Sequence, residues 1–143
     1  MKKKILIIAG GFWKEREISL KTAKGVFLEI KRKYKTKICE PNGNLIKNLR
    51  AFKPDVVFNA LHGRYGEDGY IQSILESEKI KYTHSGALSS SIAIDKEISK
   101  KIFIKNKINT PKFFTYYYDA KKSDLIKKIN KNLKFPVVVK PLN

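Results

Sequence analysis

Asn59-Ala60-Leu61-His62-Gly63-Arg64-Tyr65-Gly66-Glu67-Asp68-Gly69-Tyr70-Ile71-Gln72-Ser73 is the stretch on which the reading of the fold turns. It closes an apolar run, Val56, Val57, Phe58, Ala60 and Leu61, which follows Pro54 and Asp55 and reads as a strand buried on both faces of a parallel sheet. His62 to Gly69 is then the turn at that strand's carboxyl end, and from Tyr70 a helical pattern places Ile71, Ile74 and Leu75 on one face. Gly63, Gly66 and Gly69 recur at every third position, giving the backbone access to left-handed conformations or a close approach to a ligand. Taken alone, the turn also reads as a plain strand-to-helix connection with Asp68 as helix N-cap and Glu67 favoured by the helix dipole. Open α/β sheets bind ligands at such loops.

Working outward, Lys4 to Ala9 is a buried first strand that ends at Gly10-Gly11, without the Gly-x-Gly-x-x-Gly spacing of a dinucleotide fingerprint. Leu20, Ala23, Val26, Phe27 and Ile30 recur at helical spacing, with Ser19 as the expected N-cap and Lys31, Arg32 and Lys33 in the last turn. Glu15, Arg16 and Glu17 therefore fall in the loop after strand one, on the same sheet edge as the His62 loop. Tyr34 to Cys39 reads as strand two; Leu45, Ile46 and Leu49 make a short helix before Pro54; Lys79 to Thr83 is a fourth short strand. His84-Ser85-Gly86 turns into a helix bearing Ala87, Leu88, Ile92 and Ala93, and His84 receives no role. Asp95 caps a helix with Ile98, Ile102 and Phe103 on its apolar face. Strands are expected at Lys112 to Tyr117 and Val137 to Lys140, around a helix from Ser123 to Asn130. The fold class is α/β, a Rossmann-like open parallel sheet built from βαβ units.

The 143 residues suffice for roughly one domain, and 42% apolar residues can supply a core. No apolar run approaches the ~18 residues of a membrane span. Lys2, Lys3 and Lys4 before Ile5 to Ala9 imitate a signal start, but Gly10 and Gly11 cut the apolar stretch short of the ~7 to 15 residues such a region needs. A cytoplasmic location without membrane partners is expected. Cys39 is the single cysteine, so no internal disulfide can form. The formal charge of +18 invites a nucleic-acid reading. Only Arg16, Arg32, Arg50 and Arg64 are arginines, however, and the lysines spread over every surface element rather than lining one groove. No specific nucleic acid is expected, and a solvated lysine-rich surface accounts for the charge.

His62-Gly63-x-x-Gly66-Glu67-Asp68-Gly69-x-Ile71-Gln72-Ser73 resembles the N-terminal signature of the D-alanine–D-alanine ligases, and the likeness runs from Ile5 to Pro141. Gly10, Gly11, Glu15, Arg16, Glu17 and Ser19 match a second family motif, and Tyr82, Thr83, Ser85 and Gly86 a third. Phe12 and Trp13 stand where that family has small hydroxyl residues, which puts the shape of the pocket rim in question. The resemblance implies a substrate-binding, pre-ATP-grasp domain over residues 1–94 and the beginning of an ATP-grasp domain over 95–143. It makes Glu15 and His62 the catalytic residues of this part. Glu15, Ser19, His62, Gly63 and Glu67 would contact substrate, with the Glu15 carboxylate pairing with the ammonium of the first D-alanine. Lys96 and Lys140 would contact the phosphates of ATP, although Lys96 taken alone, among 27 lysines, reads as a solvated lysine.

The implied reaction joins two D-alanines for peptidoglycan precursor synthesis. Its partners are D-alanine and ATP, with a homodimer as the form of a longer protein. Magnesium ligands and the transition-state arginine would lie beyond residue 143, so no metal site is expected here and the 143 residues alone should show no ligase turnover. Two further readings stay open on the residues: a non-catalytic, flavodoxin-like ligand-binding module, and a basic nucleic-acid binder.

Overall fold

The computed structural model describes residues 2–142. Three parallel strands, β1 (Lys4–Ile8), β2 (Lys35–Cys39) and β3 (Val56–Asn59), form a sheet in the order β2-β1-β3. Helix α1 (Arg16–Ile30) connects β1 to β2, and α2 (Leu45–Phe52) connects β2 to β3; α3 (Tyr70–Ser77) and α4 (Ala87–Ile94) follow. In register, Ile8 of β1 stands between Cys39 of β2 and Asn59 of β3, so all three strands end on one edge.

Strand geometry decides where the core sits. Side chains alternate across a strand, and β1 sends Leu6 and Ile8 to one face and Ile7 to the other. On the first face Leu6, Ile8 and Val57 pack with Leu45 and Leu49 of α2 and Ile71 and Leu75 of α3. On the second, Ile7, Ala9 and Ala60 pack with Ala23 of α1, joined by Leu20, Val26, Phe27, Ile30 and Phe58. Helices cover both faces, which is why β1 can be apolar throughout. Each fully buried Leu or Ile here contributes roughly 1.5–3 kcal/mol from the area removed from water.

Helix ends follow local chemistry. α2 stops at Lys53, held left-handed at φ 48°, and Pro54 bars continuation. α3 starts at Gly69 with φ 91°, where a Cβ would lie 2.5 Å from the Ala87 carbonyl oxygen and collide with Ser91 Oγ, so a side chain is excluded. Asp68 therefore does not occupy the cap position itself. Its carboxylate accepts from Tyr65 N (2.8 Å) and Tyr70 N (3.1 Å), bracing the turn from one residue earlier.

Several expectations from the sequence are corrected. α1 begins at Arg16 with Glu15 at the cap, so Ser19 lies inside the helix as a buried bridge rather than as its N-cap. Lys31, Arg32 and Lys33 fall just beyond the end of α1. Lys79 to Thr83 is not a strand. Lys79 leaves α3 left-handed at φ 55°, and the segment reaches β3 only through a parallel bridge between Val57 and Tyr82, made by Val57 N to Lys81 O (2.8 Å) and Thr83 N to Val57 O (3.2 Å).

The chain divides into two compact units, one through Ile92 and one from Ala93 on. The second contains α5 (Lys96–Lys105), capped by the Asp95 side chain on Ile98 N at 2.9 Å, and α6 (Lys122–Asn132). Lys112 to Tyr117 and Val137 to Lys140 are extended but form no strand. A strand requires a ladder partner for its amides and carbonyls, and no described residue pairs with either segment.

Candidate functional site

The carboxyl edge of the sheet gathers three chain segments: the loop after β1, Glu40 just past β2, and the loop after β3. Gly10 and Gly11, at φ 85° and 87°, turn the chain off β1. A Cβ at Gly10 would stand 2.7 Å from Glu40 Oε2, so a glycine is what lets the carboxylate approach. Glu40 Oε1 in turn accepts from Arg16 Nη2 at 2.7 Å, tying the start of α1 to the end of β2. Both side chains are 42% exposed, so this pair contributes little stability and serves mainly to orient.

Ser19 is the floor of the site. Its hydroxyl accepts from Gly10 N and donates to Ala60 O, both at 2.8 Å, and the residue is 1% exposed. One side chain thus satisfies a buried donor on the first loop and a buried acceptor on the third. His62 Nε2 lies 3.2 Å from Thr22 Oγ1, so α1 also fixes the imidazole. Gly63 has φ 64°, and a Cβ there would collide with Glu15 Oε2 and approach Trp13 Cδ1 to 3.6 Å. The Glu15 carboxylate and the Trp13 indole therefore both lie against the backbone of Gly63. Two loops separated by some fifty positions in sequence meet at this point.

The loop after β3 is held from beneath by its own amides. Gly66 O accepts from Asn59 Nδ2 and from Gln72 Nε2, both at 2.8 Å, while Asn59 Oδ1 accepts from Leu61 N at 3.1 Å. A Cβ at Gly66 would stand 2.9 Å from the Leu61 carbonyl carbon, so the loop closes too tightly for any side chain there. Gly63 O accepts from Gly66 N (3.2 Å) and Glu67 N (2.8 Å).

Of the residues singled out in the sequence, Glu15, Ser19, His62 and Gly63 share this edge. Glu67 rides on the same turn with its side chain exposed. Lys96 and Lys140 belong to the second unit: Lys96 Nζ donates to Leu142 O at 3.2 Å, and Lys140 is exposed. Phe12 is 81% exposed and Trp13 42%, so the bulk at the rim stands in solvent rather than filling the floor. Sequence reasoning assigned no role to Thr22, Glu40, Asn59, Arg64 or Gln72. The signal for Asn59 and Gln72 was present: each is an amide at a position whose neighbours are core, and buried amides need partners. Two hollows, of about 320 Å³ between Leu49, Arg50, Lys53 and Ile80 and about 480 Å³ beside Asp68, Tyr70 and Ser91, lie away from Glu15 and His62. Both are shallow and carry none of the convergent polar groups of the sheet edge. Among the described residues no cluster of three or more His, Cys, Asp or Glu could hold a metal ion, and no helix is long and apolar enough to cross a membrane.

A parallel α/β sheet with loops converging at its carboxyl edge places the chain in the open-sheet α/β class, in which that edge is where ligands bind. Comparison narrows that class. The family described as D-ala D-ala ligase N-terminus matches residues 40–85, and the RimK-like ATP-grasp domain family matches residues 93–143. The chain is 65% identical to the D-alanine–D-alanine ligase of Pelagibacter ubique (strain HTCC1062) over all of its own length and 47% of that protein. It is 43% identical to the corresponding ligase of Wolbachia sp. subsp. Brugia malayi (strain TRS), covering 97% of the chain and 40% of that protein. The crystal structure of the Bacillus anthracis D-alanine–D-alanine ligase superposes with a TM-score of 0.74 at 33% identity, over 96% of this chain and 48% of that one. The same enzyme complexed with ATP gives 0.71 at 31%, over 90% and 54%. The chain is thus similar, in sequence and in fold, to the N-terminal portion of the D-alanine–D-alanine ligases and the opening of an ATP-grasp domain, and it spans about half the length of these relatives.

Proposed function

We propose that the chain supplies the amino-acid-binding edge of an ATP-dependent D-alanine–D-alanine ligase. The observation that carries this reading is the Glu15 carboxylate lying against Gly63, beside a His62 ring held by Thr22. A free amino acid presents an ammonium and a carboxylate a fixed distance apart. Glu15 pairs with the ammonium, since an unpaired charge in a water-poor site would cost several kcal/mol of solvation. His62, next to Gly63 on the opposing loop, would orient the bound zwitterion in this reading.

A carboxylate is a poor electrophile. In this reading its oxygen takes the γ-phosphoryl group of ATP, releasing ADP; the resulting acyl phosphate is attacked by the amine of a second D-alanine, which forms the peptide bond, releases phosphate and gives up a proton. Lys96 and Lys140 would contribute positive charge toward the phosphates of ATP, the nucleotide with which the Bacillus anthracis relative is complexed. Magnesium would supply further charge neutralisation, but the described residues offer no cluster to hold it, so no step is assigned to it. The reading assigns residues 1–94 to the substrate domain and 95–143 to the start of the ATP-grasp domain; the division into compact units at Ile92 and Ala93 supports it. Peptidoglycan precursor synthesis in the cytoplasm, by a homodimer of the longer protein, completes it.

Glu15→Gln tests this in a protein carrying the full ligase length. The substitution keeps shape and removes charge, and it should raise KM for the first D-alanine and lower kcat/KM by ~10- to 1,000-fold, the loss of ~1.4–4 kcal/mol of transition-state stabilisation. ATP binding should hold. Lys140→Ala should do the opposite, weakening ATP and sparing D-alanine. Unchanged D-alanine kinetics in Glu15→Gln would remove the basis of the reading.

A further inference from the structure

We propose that Trp13, Arg64 and Tyr65 form a clasp that joins the loop after β1 to the loop after β3 and thereby positions the Glu15 carboxylate. The Arg64 guanidinium carbon lies over the Trp13 ring at 5.7 Å and over the Tyr65 ring at 5.2 Å. Both residues are held through their backbones. Trp13 O accepts from Arg16 N at 3.0 Å, closing the turn that leads into α1, and Glu15 sits between the two in sequence. Tyr65 is left-handed at φ 67°, a costly conformation for an aromatic residue, and is kept there by Asp68 Oδ2 on its amide (2.8 Å) and by Ile71 N on its carbonyl (3.3 Å). Its ring meets Tyr70 edge-on with centroids 5.3 Å apart. Arg64 therefore bridges a ring on the turn that leads into α1 and a ring on the turn that leads into α3.

Ser19 joins the same two loops at the floor, through Gly10 and Ala60. The clasp joins them at the rim, and Glu15 and Gly63 lie between. Trp13 Cδ1 would stand 3.6 Å from a Cβ at Gly63, on the same face that the Glu15 carboxylate occupies. A planar guanidinium can stack on two rings, whereas a lysine ammonium cannot reproduce that geometry. The clasp residues touch no reacting atom in this arrangement. They act through Glu15 and are positioning residues.

Trp13 is the single tryptophan of the chain, so its fluorescence reads the clasp directly. Acrylamide quenching of the 143-residue chain should rise in Arg64→Ala, and less in Arg64→Lys, while the far-ultraviolet circular dichroism stays unchanged. For the ligand the proposal rests on the D-alanine reading. Titration calorimetry in the protein of full ligase length should then show D-alanine affinity reduced by about 2- to 5-fold in Arg64→Ala and Trp13→Ala, the order of an exposed cation–ring contact. Trp13→Phe keeps a ring and should recover most of it. In a Glu15→Gln background Arg64→Ala should cost nothing more, because its effect passes through Glu15. Unchanged quenching in Arg64→Ala overturns the clasp. Losses that add in full to those of Glu15→Gln overturn its action through Glu15. Raised quenching in a protein that takes up no D-alanine keeps the clasp between the loops, and defeats the D-alanine reading instead.

Discussion

Up to Ile92 the chain buries thirteen apolar residues on the two faces of one sheet, while from Ala93 to Leu142 no residue is buried at all. The helices of the two regions are comparable in length, but α5 and α6 are richer in lysine and no described strand lies in their unit for them to pack on. α2 and α3 close over β1 and β3, whereas Ile98, Phe103, Val138 and Val139 remain 45%, 39%, 80% and 66% exposed. Apolar side chains stabilise a fold only when water leaves them. The second unit is held instead by polar ties, such as Lys100 Nζ on Thr110 Oγ1 and Pro111 O, both at 2.8 Å, and these contribute little net stability where water competes. Within the described residues the second region has helices but no buried side chain.

The strongest way to break that comparison is to separate the regions. Residues 1–92 alone should unfold in urea as one cooperative transition, and residues 93–143 alone should show none by circular dichroism. A sharp transition in the shorter piece would mean that its exposed apolar residues find a core after all. Single substitutions in the whole chain sharpen the contrast. Leu75→Ala, at a fully buried position, should cost about 2–5 kcal/mol, whereas Val138→Ala, at an 80% exposed one, should stay within about 0.5 kcal/mol. Equal costs would erase the distinction.

Much of the first region was legible from its residues because its burial is local and periodic. The run Val56 to Phe58, the helical spacing from Leu20 to Ile30 and the pattern beginning at Tyr70 each name an element, and the sheet is what lies between their apolar faces. What was not legible depended on partners distant in sequence. Ser19 reads as a helix cap because serine commonly caps; only Gly10 and Ala60, brought together by the sheet, make it a buried bridge. Lys112 to Tyr117 and Val137 to Lys140 carry strand-like side chains, yet side chains do not supply a ladder. At the candidate site, motif residues single out Glu15, His62 and Gly63, while nothing in the sequence joins Arg64 to the Trp13 ring, in a loop more than fifty residues away.

Ser19→Ala tests the floor of the first region with an effect smaller than that of Leu75→Ala. The change removes one donor and one acceptor while keeping the volume nearly the same, so Gly10 N–H and Ala60 C=O are both left buried without a partner. A loss of about 1–3 kcal/mol in urea unfolding is expected. Exchange of the Gly10 amide with solvent should quicken more than that of Leu6 or Ile7 on the same strand, because the opening is local. A uniform change along β1 would show that Ser19 supports the strand as a whole rather than the turn.

The smallest expected effect lies where the first region loses its strand character, at Tyr82. The Tyr82 hydroxyl donates to Glu76 Oε1, which also accepts from Ala87 N at 3.1 Å at the start of α4. The hydrogen bond from Tyr82, and then that from Ala87 N–H, hold the Glu76 carboxyl below its ordinary 4.5. Burial, and then Glu76, push the Tyr82 hydroxyl from 10.0 up to about 12. The two shifts act in opposite windows. For Glu76 the folded state binds its proton less readily than the unfolded chain does, so its contribution is present above 4.5 and fades as pH falls through the lower folded value. For Tyr82 the folded state holds its proton more readily, so its contribution is complete below 10 and is lost as pH rises from there toward about 12. Many lysines titrate in that upper range, so the measurement has to be a difference. Unfolding midpoints of the parent and of Tyr82→Phe, compared from pH 3 to 12, should differ by a plateau near neutrality that shrinks at both ends. In a Glu76→Gln background the acid arm of the Tyr82→Phe difference should be missing, since the Glu78 carboxyl, held low by Arg50, still shapes the acid side of each single profile. A difference that stays flat across the whole range would mean that Tyr82 and Glu76 are not coupled, and that the bridge from Tyr82 to Val57 is held by backbone hydrogen bonds alone.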